Sequence, residues 1–155
     1  MTQGLKGAAL PPGVYGYDDL AIGDWIDAGS AQVTTALIDQ FAAVSGDHYA
    51  LHMDADFAAE RGFANRVAHG LLVLSMVDGL KNNAAARLDG LVSMGWNWRF
   101  EAPVLAGDQI QAGLTIVGKR KTSSGDKGVL RTQFDVTNQD GDLVQSGTNE
   151  LLFVL

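Results

Sequence analysis

The sequence predicts an α+β domain in which one long apolar helix packs against a curved antiparallel sheet. Two observations predict this class: apolar side chains recur at helical spacing in much of the first half of the chain, and they alternate with polar ones after Gly90. Helices followed by a run of strands are typical of an antiparallel sheet with helices on one face. The 155 residues, 46% hydrophobic and 19% charged, suffice for one packed domain.

Three helices are expected before the run of strands that follows Gly90. Thr35 is the candidate N-cap of the first helix and Gly46 ends it, while Asp54 is the candidate N-cap of the second. The third helix begins near His69 and extends as far as about Arg87. Its first two turns have almost no polar face, so we expect this helix to be buried nearly all round.

Five strands are expected. One lies between Gly23 and Val33, and four follow Gly90, with a hairpin turn at Asp140-Gly141. A curved antiparallel sheet wrapped around one long buried helix is the outline of a hotdog fold. Residues 1–14 contain two prolines and three glycines and are expected to form a flexible arm, so the single domain covers residues 15–155.

Composition excludes several functional classes. Eleven Lys and Arg residues against 18 Asp and Glu residues give a net charge of −7, the wrong sign for binding nucleic acids or anionic membranes. Without cysteine the chain has no disulfide, thiolate zinc site or cysteine nucleophile. No secretory signal is recognisable, and no uncharged stretch approaches the ~20 residues that cross a bilayer. We therefore expect a cytoplasmic protein.

The segment of residues 45–52 places an acid and two imidazoles close together. In a continuous helix Asp47 and His52 would lie about 140° apart, so they can share a substrate only in a loop or tight turn, which Gly46 favours. A carboxylate facing an imidazole can hold a water for acid/base chemistry. Alternatively, Asp47 caps the next turn and His52 is a partly buried histidine bonded to backbone.

A metal site is the less favoured interpretation of the same segment. His48 and His52 are four residues apart, and His69 or Asp54 could add a third ligand. No Glu follows the first histidine, however, so the metalloprotease pattern is incomplete. We therefore expect no metal.

The segment of residues 66–72 stands at the start of the long helix. Backbone N–H groups in a first turn lack partners within the helix, and Gly70 would let a substrate oxygen approach its N–H closely. Gly70 is thus a candidate oxyanion donor. Alternatively, Gly70 only lets the helix start against the sheet and His69 only caps it.

A third feature is a cluster of five basic residues between positions 119 and 131. Such a patch in an acidic protein can bind an anion such as a nucleotide phosphate. A solvated hairpin end is the alternative, and Gly125 between two strands favours it.

Four segments, residues 17–24, 45–52, 66–72 and 100–108, resemble in order and spacing the MaoC-like dehydratases, which include the (R)-specific enoyl-CoA hydratases. The resemblance implies a hotdog homodimer that binds acyl-CoA or enoyl-CoA thioesters near the subunit interface and adds water reversibly to a 2-enoyl thioester. By position, Asp47 and His52 match the catalytic acid and histidine of the family, and Gly70 matches the glycine whose amide binds the thioester oxygen. No cofactor is implied beyond the CoA of the substrate.

Two positions depart from the pattern of the family. Tyr49-Ala50 stands where Asn-Pro is common, and Asp78 stands where a serine supports the catalytic acid in the hydratases. Asp78 would add a second carboxylate beside the pair. We assign Tyr49, His69 and Asp78 as candidate substrate-binding residues. A hotdog acyl-CoA thioesterase and a non-catalytic acyl-CoA-binding module remain alternatives to the hydratase.

Overall fold

The computed structural model describes residues 7–155 as an antiparallel sheet with helices. Its strands are β1 (Gly13–Tyr15), β2 (Trp25–Gln32), β3 (Ala86–Leu88), β4 (Val92–Phe100), β5 (Gln109–Lys121), β6 (Lys127–Thr137) and β7 (Leu143–Val154). Its helices are α1 (Thr35–Ser45), α2 (Ala50–Met53), α3 (Ala55–Glu60) and α4 (Gly70–Asn83), with a 3-10 turn at Tyr17–Asp19. The main sheet has the order β2-β5-β6-β7-β4, and β1 pairs with β3 in parallel.

The period-two pattern of the sequence corresponds to the two faces of this sheet. In β5, Ile110, Ala112, Leu114 and Ile116 are all buried, and the residues between them are more exposed. Gly125 and Gly141 adopt φ of 76° and 82° in the two hairpins that join β5 to β6 and β6 to β7. Bulges interrupt β2, β4 and β5 and increase the bend that a sheet needs to curve over a helix. The predicted α+β class is confirmed.

Helix α4 packs against β2, β3 and β5. Leu72, Val73 and Val77 join the core that the inner face of the sheet forms. The prediction that α4 is buried nearly all round is wrong, because Leu71 is 59% exposed and Ser75 is also exposed. The sheet covers only one side of the helix.

Helix α4 is also shorter than expected. It ends at Asn83, and Arg87 lies in β3 instead of in the helix. The buried Ala86 and the half-buried Leu88 flank the exposed Arg87, and the backbone of β3 pairs with β1. This pairing satisfies backbone groups that an extended helix would have bonded internally.

The N-cap of α1 is Thr34 rather than Thr35, because the Thr34 hydroxyl accepts from the N–H of Leu37 at 3.1 Å. Asp54 caps α3 as predicted and accepts from the N–H groups of Asp56 and Phe57.

The predicted arm, residues 1–14, lies partly outside the described residues, which begin at residue 7. In contrast to a loose arm, Leu10 N donates to Trp25 O, and Gly13 starts β1. Pairing with β3 and contact with Trp25 hold this part of the chain against the domain.

Strand β4 is one edge of the main sheet and carries an unusual apolar surface. Val92, Met94 and Phe100 are each more than half exposed. Among residues 7–155, no helix has the length and apolar character that crossing a membrane requires.

Candidate functional site

The candidate site is a cavity of about 700 Å³ at the N-terminal end of α4. Its apolar wall includes Phe41, Leu71, Phe100 and Val104. The polar side chains that line it come from α1, the α1–α2 connection, α2, the start of α4 and the facing ends of β4 and β7; they are Ser45, Asp47, His52, His69, Glu101 and Gln145. Gly70 also lines the cavity. Four of the six predicted site residues, Asp47, His52, His69 and Gly70, therefore meet in one place.

Asp47 lies in the loop between α1 and α2. Gly46 ends α1 in the left-handed region, with φ of 78°, and the chain turns away from the helix axis there. The Ser45 hydroxyl accepts from the N–H of Asp47, and Oδ1 of Asp47 accepts from the N–H of Tyr49, both at 3.2 Å. These bonds fix the carboxylate and leave Oδ2 facing His52.

His52 lies on the single turn of α2, although sequence reasoning favoured a loop for the whole segment. Its Nδ1 is 2.7 Å from the carbonyl oxygen of Val67, which can only accept, so Nδ1 carries a proton. In the neutral imidazole Nε2 is then an acceptor, and it lies 3.8 Å from Oδ2 of Asp47. Two acceptors cannot bond each other directly, and at this separation they can share one water that donates to both.

His69 contacts both members of this pair. It is 2% exposed, its Nε2 donates to the backbone oxygen of Asp47 at 2.9 Å, and its ring stacks on His52 with 3.9 Å between centroids. His69 is the N-cap residue of α4, but its side chain makes no capping bond to the helix and turns to Asp47 and His52 instead. Its Nδ1 is buried and has no hydrogen-bond partner among residues 7–155.

Gly70 is the first residue of α4, so its N–H has no acceptor within the helix. The positive end of the helix dipole adds to this donor. A Cβ at this position would overlap the ring of Phe100, so any other residue would displace that ring. Gln145 holds the other side of the residue, because its Nε2 donates to the carbonyl of Gly70 at 3.0 Å while its Oε1 accepts from Nε1 of Trp98 at 2.8 Å.

Sequence reasoning missed Gln145, Glu101 and Ser45 as cavity residues. Gln145 is 2% exposed. The available signal was the amide side chain beside apolar residues at the start of the last strand, since buried polar side chains are uncommon and need partners.

Tyr49 and Asp78 do not line the cavity, in contrast to the prediction that both bind substrate. Tyr49 is 55% exposed and lies edge-on to His52, with 5.8 Å between centroids. Asp78 lies two turns further along α4, where its Oδ1 is 2.7 Å from Nζ of Lys81. The partner of Asp78 is therefore Lys81 and not Asp47. Ala50 takes the first position of α2, a position that also suits proline.

The ligand atoms of Asp47, His52 and His69 lie within 4.8 Å of one another and could suggest a metal site. A zinc ion would lie in the plane of each imidazole, about 2.0–2.1 Å from the nitrogen. The two rings are stacked with 29° between their planes, and one nitrogen of each ring already donates to a backbone carbonyl. The arrangement favours a water over a metal ion.

The basic cluster lies at the opposite end of the sheet. Near the start of β7, Gln145 pairs with Phe100 beside the cavity. Near the end of β7, Phe153 and Val154 pair with the first residues of β6, next to the β5–β6 hairpin. Nζ of Lys119 donates to the carbonyls of Tyr17 and Leu20, the first at 2.8 Å. These bonds favour a structural role for this end of the sheet.

Comparison with known proteins identifies relatives. The family model described as MaoC like domain matches residues 20–138. The chain is 40% identical over 107 residues to Protein MaoC of Klebsiella aerogenes, covering 68% of this chain and 31% of that protein, so it spans about a third of that relative's length. It is 30% identical over 118 residues to the (R)-specific enoyl-CoA hydratase of Aeromonas caviae, covering 76% of this chain and 84% of that enzyme.

Solved structures give the same fold. A monoamine oxidase regulatory protein from Archaeoglobus fulgidus superposes with a TM-score of 0.83 at 28% identity and covers 94% of this chain and 98% of that one. A Mycobacterium tuberculosis protein described as a double hotdog fold superposes with a TM-score of 0.79 at 20% identity, covering 89% of this chain and 43% of that one. The hotdog prediction is confirmed.

Proposed function

The chain belongs to the MaoC-like domain family, and we propose that it adds water reversibly to the double bond of a 2-enoyl-CoA thioester to give the 3-hydroxyacyl thioester. One observation carries this proposal: Nε2 of His52 and Oδ2 of Asp47 face each other at 3.8 Å in a cavity that the N-terminus of α4 also lines. The named activity of the Aeromonas caviae relative supports the same reaction.

In this reaction, Asp47 and His52 hold a water beside the β-carbon of the enoyl thioester. The water oxygen bonds to that carbon, and one of the pair takes its proton. The electrons of the double bond move toward the thioester oxygen, where the N–H of Gly70 stabilises the enolate. The α-carbon then takes a proton from the pair, and the carbonyl re-forms.

The cavity fits such a substrate. Its apolar wall, which includes Phe41, Leu71 and Phe100, suits an acyl chain, whereas its polar groups gather around the start of α4. A volume of about 700 Å³ lies within the range of ordinary ligand pockets.

We also propose that the active form is a homodimer with the cavity near its interface. Leu71 and Phe100 line the cavity and are 59% and 58% exposed, and Met94 on the edge strand β4 is 52% exposed. An apolar sheet edge of this kind is a template for pairing with a second copy. Light scattering on the wild type should give a dimer, and Met94→Glu should give a monomer; a monomeric, active wild type would contradict the proposal.

The test of the reaction is the loss of enoyl-thioester absorbance on a panel of short, medium and polar 2-enoyl-CoAs, with crotonyl-CoA among them. Wild type should turn over at least one, and His52→Gln and Asp47→Asn should each lower kcat by about 10³-fold because acid/base chemistry is lost. Circular dichroism should show that both variants remain folded.

Other outcomes would replace the proposal. Release of free thiol without loss of the double bond would identify a thioesterase. Binding of the thioesters without turnover of any of them would identify an acyl-CoA-binding module.

A further inference from the structure

Arg66 joins three segments around the site through its side chain and its backbone. Its Nε donates to the carbonyl oxygen of His52 on α2, and a terminal nitrogen donates to Oδ1 of Asp39 on α1. Its own carbonyl, just before α4, accepts from the N–H of Ala106 at 2.8 Å. The Arg66 side chain is 13% exposed and Asp39 is 57% exposed, so the bond to His52 is better shielded from water than the bond to Asp39.

Helix α2 depends on such contacts because it has only four residues. A single helical turn is not stable alone, and its last carbonyl groups accept no hydrogen bond from within the helix. Arg66 bonds one of these carbonyls, that of His52, while the imidazole donates to Val67 O at 2.7 Å. His52 is therefore held at both its backbone and its ring.

Asp39 completes the contact. A guanidinium that is largely buried needs a negative partner, and the carboxylate of Asp39 provides it. With one nitrogen bound to Asp39, the planar guanidinium presents Nε to His52 in a fixed direction. A lysine has one nitrogen and can serve only one of the two acceptors well.

We propose that Arg66, fixed by Asp39, is a positioning residue that sets the place of the His52 imidazole opposite Asp47. This inference rests on the hydration proposed above. Arg66 does not line the cavity, so it acts through His52 and not through the substrate. Because small misplacements of a catalytic group are costly, loss of this contact should affect kcat far more than KM.

The test compares Arg66→Lys and Asp39→Asn with Arg61→Lys. Arg61 is a matched control, because it is a neighbouring arginine, 46% exposed, that stacks on Phe57 and pairs with Glu60. Arg66→Lys should lower kcat by about 10-fold to 100-fold with KM unchanged. Asp39→Asn, which keeps an acceptor, should have a smaller effect in the same direction, and Arg61→Lys should have none.

Nitrogen NMR of the His52 ring is the second measurement. Wild type should show the form protonated at Nδ1, and Arg66→Lys should show a mixture of forms or a broadened signal. A lowered melting temperature with wild-type kcat and a wild-type His52 spectrum would overturn the proposal, since Arg66 would then be only structural. If wild type hydrates no thioester, the proposed function fails, and the NMR comparison alone decides whether Arg66 positions His52.

Discussion

Two charged regions of this chain differ in how their polar atoms are used. At the cavity, His52 and His69 each donate one ring nitrogen to a backbone carbonyl and keep the other nitrogen without a hydrogen bond in the described part of the chain. At the far end of the sheet, Lys119 donates to two carbonyls and lies 4.4 Å from the Tyr17 ring centroid, while Arg131 pairs with Glu150 at 3.1 Å.

This difference suits the cavity for chemistry and the far end of the sheet for a structural role. A group whose polar atoms are all bonded to the protein has little left for a ligand, whereas a group held at one atom and unbonded at another is both oriented and available. From the sequence both regions were candidates, because both concentrate titratable side chains.

Among the variants that test this contrast between the two regions, Gly70→Ala should have the largest effect. Gly70→Ala keeps the backbone N–H but places a Cβ into the Phe100 ring and beside the proposed oxyanion donor, so hindered approach of the thioester oxygen should lower kcat/KM by about 100-fold, as much as the loss of one such donor. Gly79→Ala on the same helix is the matched control, because a Cβ there meets nothing within 4 Å. Steady-state kinetics checks both; equal rates for Gly70→Ala and wild type would show that the substrate does not approach Gly70 closely, in contradiction to the proposed contact with its N–H.

An intermediate effect, on stability alone, is expected at Lys119. Lys119→Met keeps the aliphatic stem but leaves the carbonyls of Tyr17 and Leu20 without this donor, which should cost about 1–3 kcal/mol of unfolding free energy. The exposed Lys121 provides the control, and Lys121→Met should change stability by less than about 0.5 kcal/mol. Urea unfolding measures both, and kcat should stay at the wild-type value. A fall in kcat for Lys119→Met would mean that the two regions are coupled.

The regular part of the fold was predictable because it follows from local patterns. Alternation predicted β5 and β6, and Gly-containing turns predicted their hairpins. The end of α4 at Asn83 and the packing of Leu10 and β1 were not predictable, because they depend on pairing between β1 and β3, which are distant in sequence. Leu71 is exposed for a similar reason, since burial depends on which side of the helix the sheet covers.

For the site, sequence established the residue types and their order but not their contacts. Asp47, His52 and Gly70 were identified by motif and do meet at the cavity. Asp78 was placed beside Asp47 by its position in the motif, but its ion pair with Lys81 directs it elsewhere. The contacts of Arg66 and Gln145 join residues 14 or more positions apart, and no spacing rule predicts them.

The smallest effect is expected in the basic cluster. Arg131 is 57% exposed, so its pair with Glu150 contributes little to stability, and the exposed Arg120 lies on the neighbouring strand. If the cluster bound the phosphates of CoA, the double variant Arg120→Gln/Arg131→Gln would raise KM for a CoA thioester but not for the matching pantetheine thioester, which lacks the nucleotide. We expect KM for both to stay within about twofold of wild type, because the cluster lies at the end of the sheet opposite Gln145 and Phe100. A selective rise for the CoA thioester would show that a nucleotide phosphate reaches this end, and the contrast between the two regions would no longer hold.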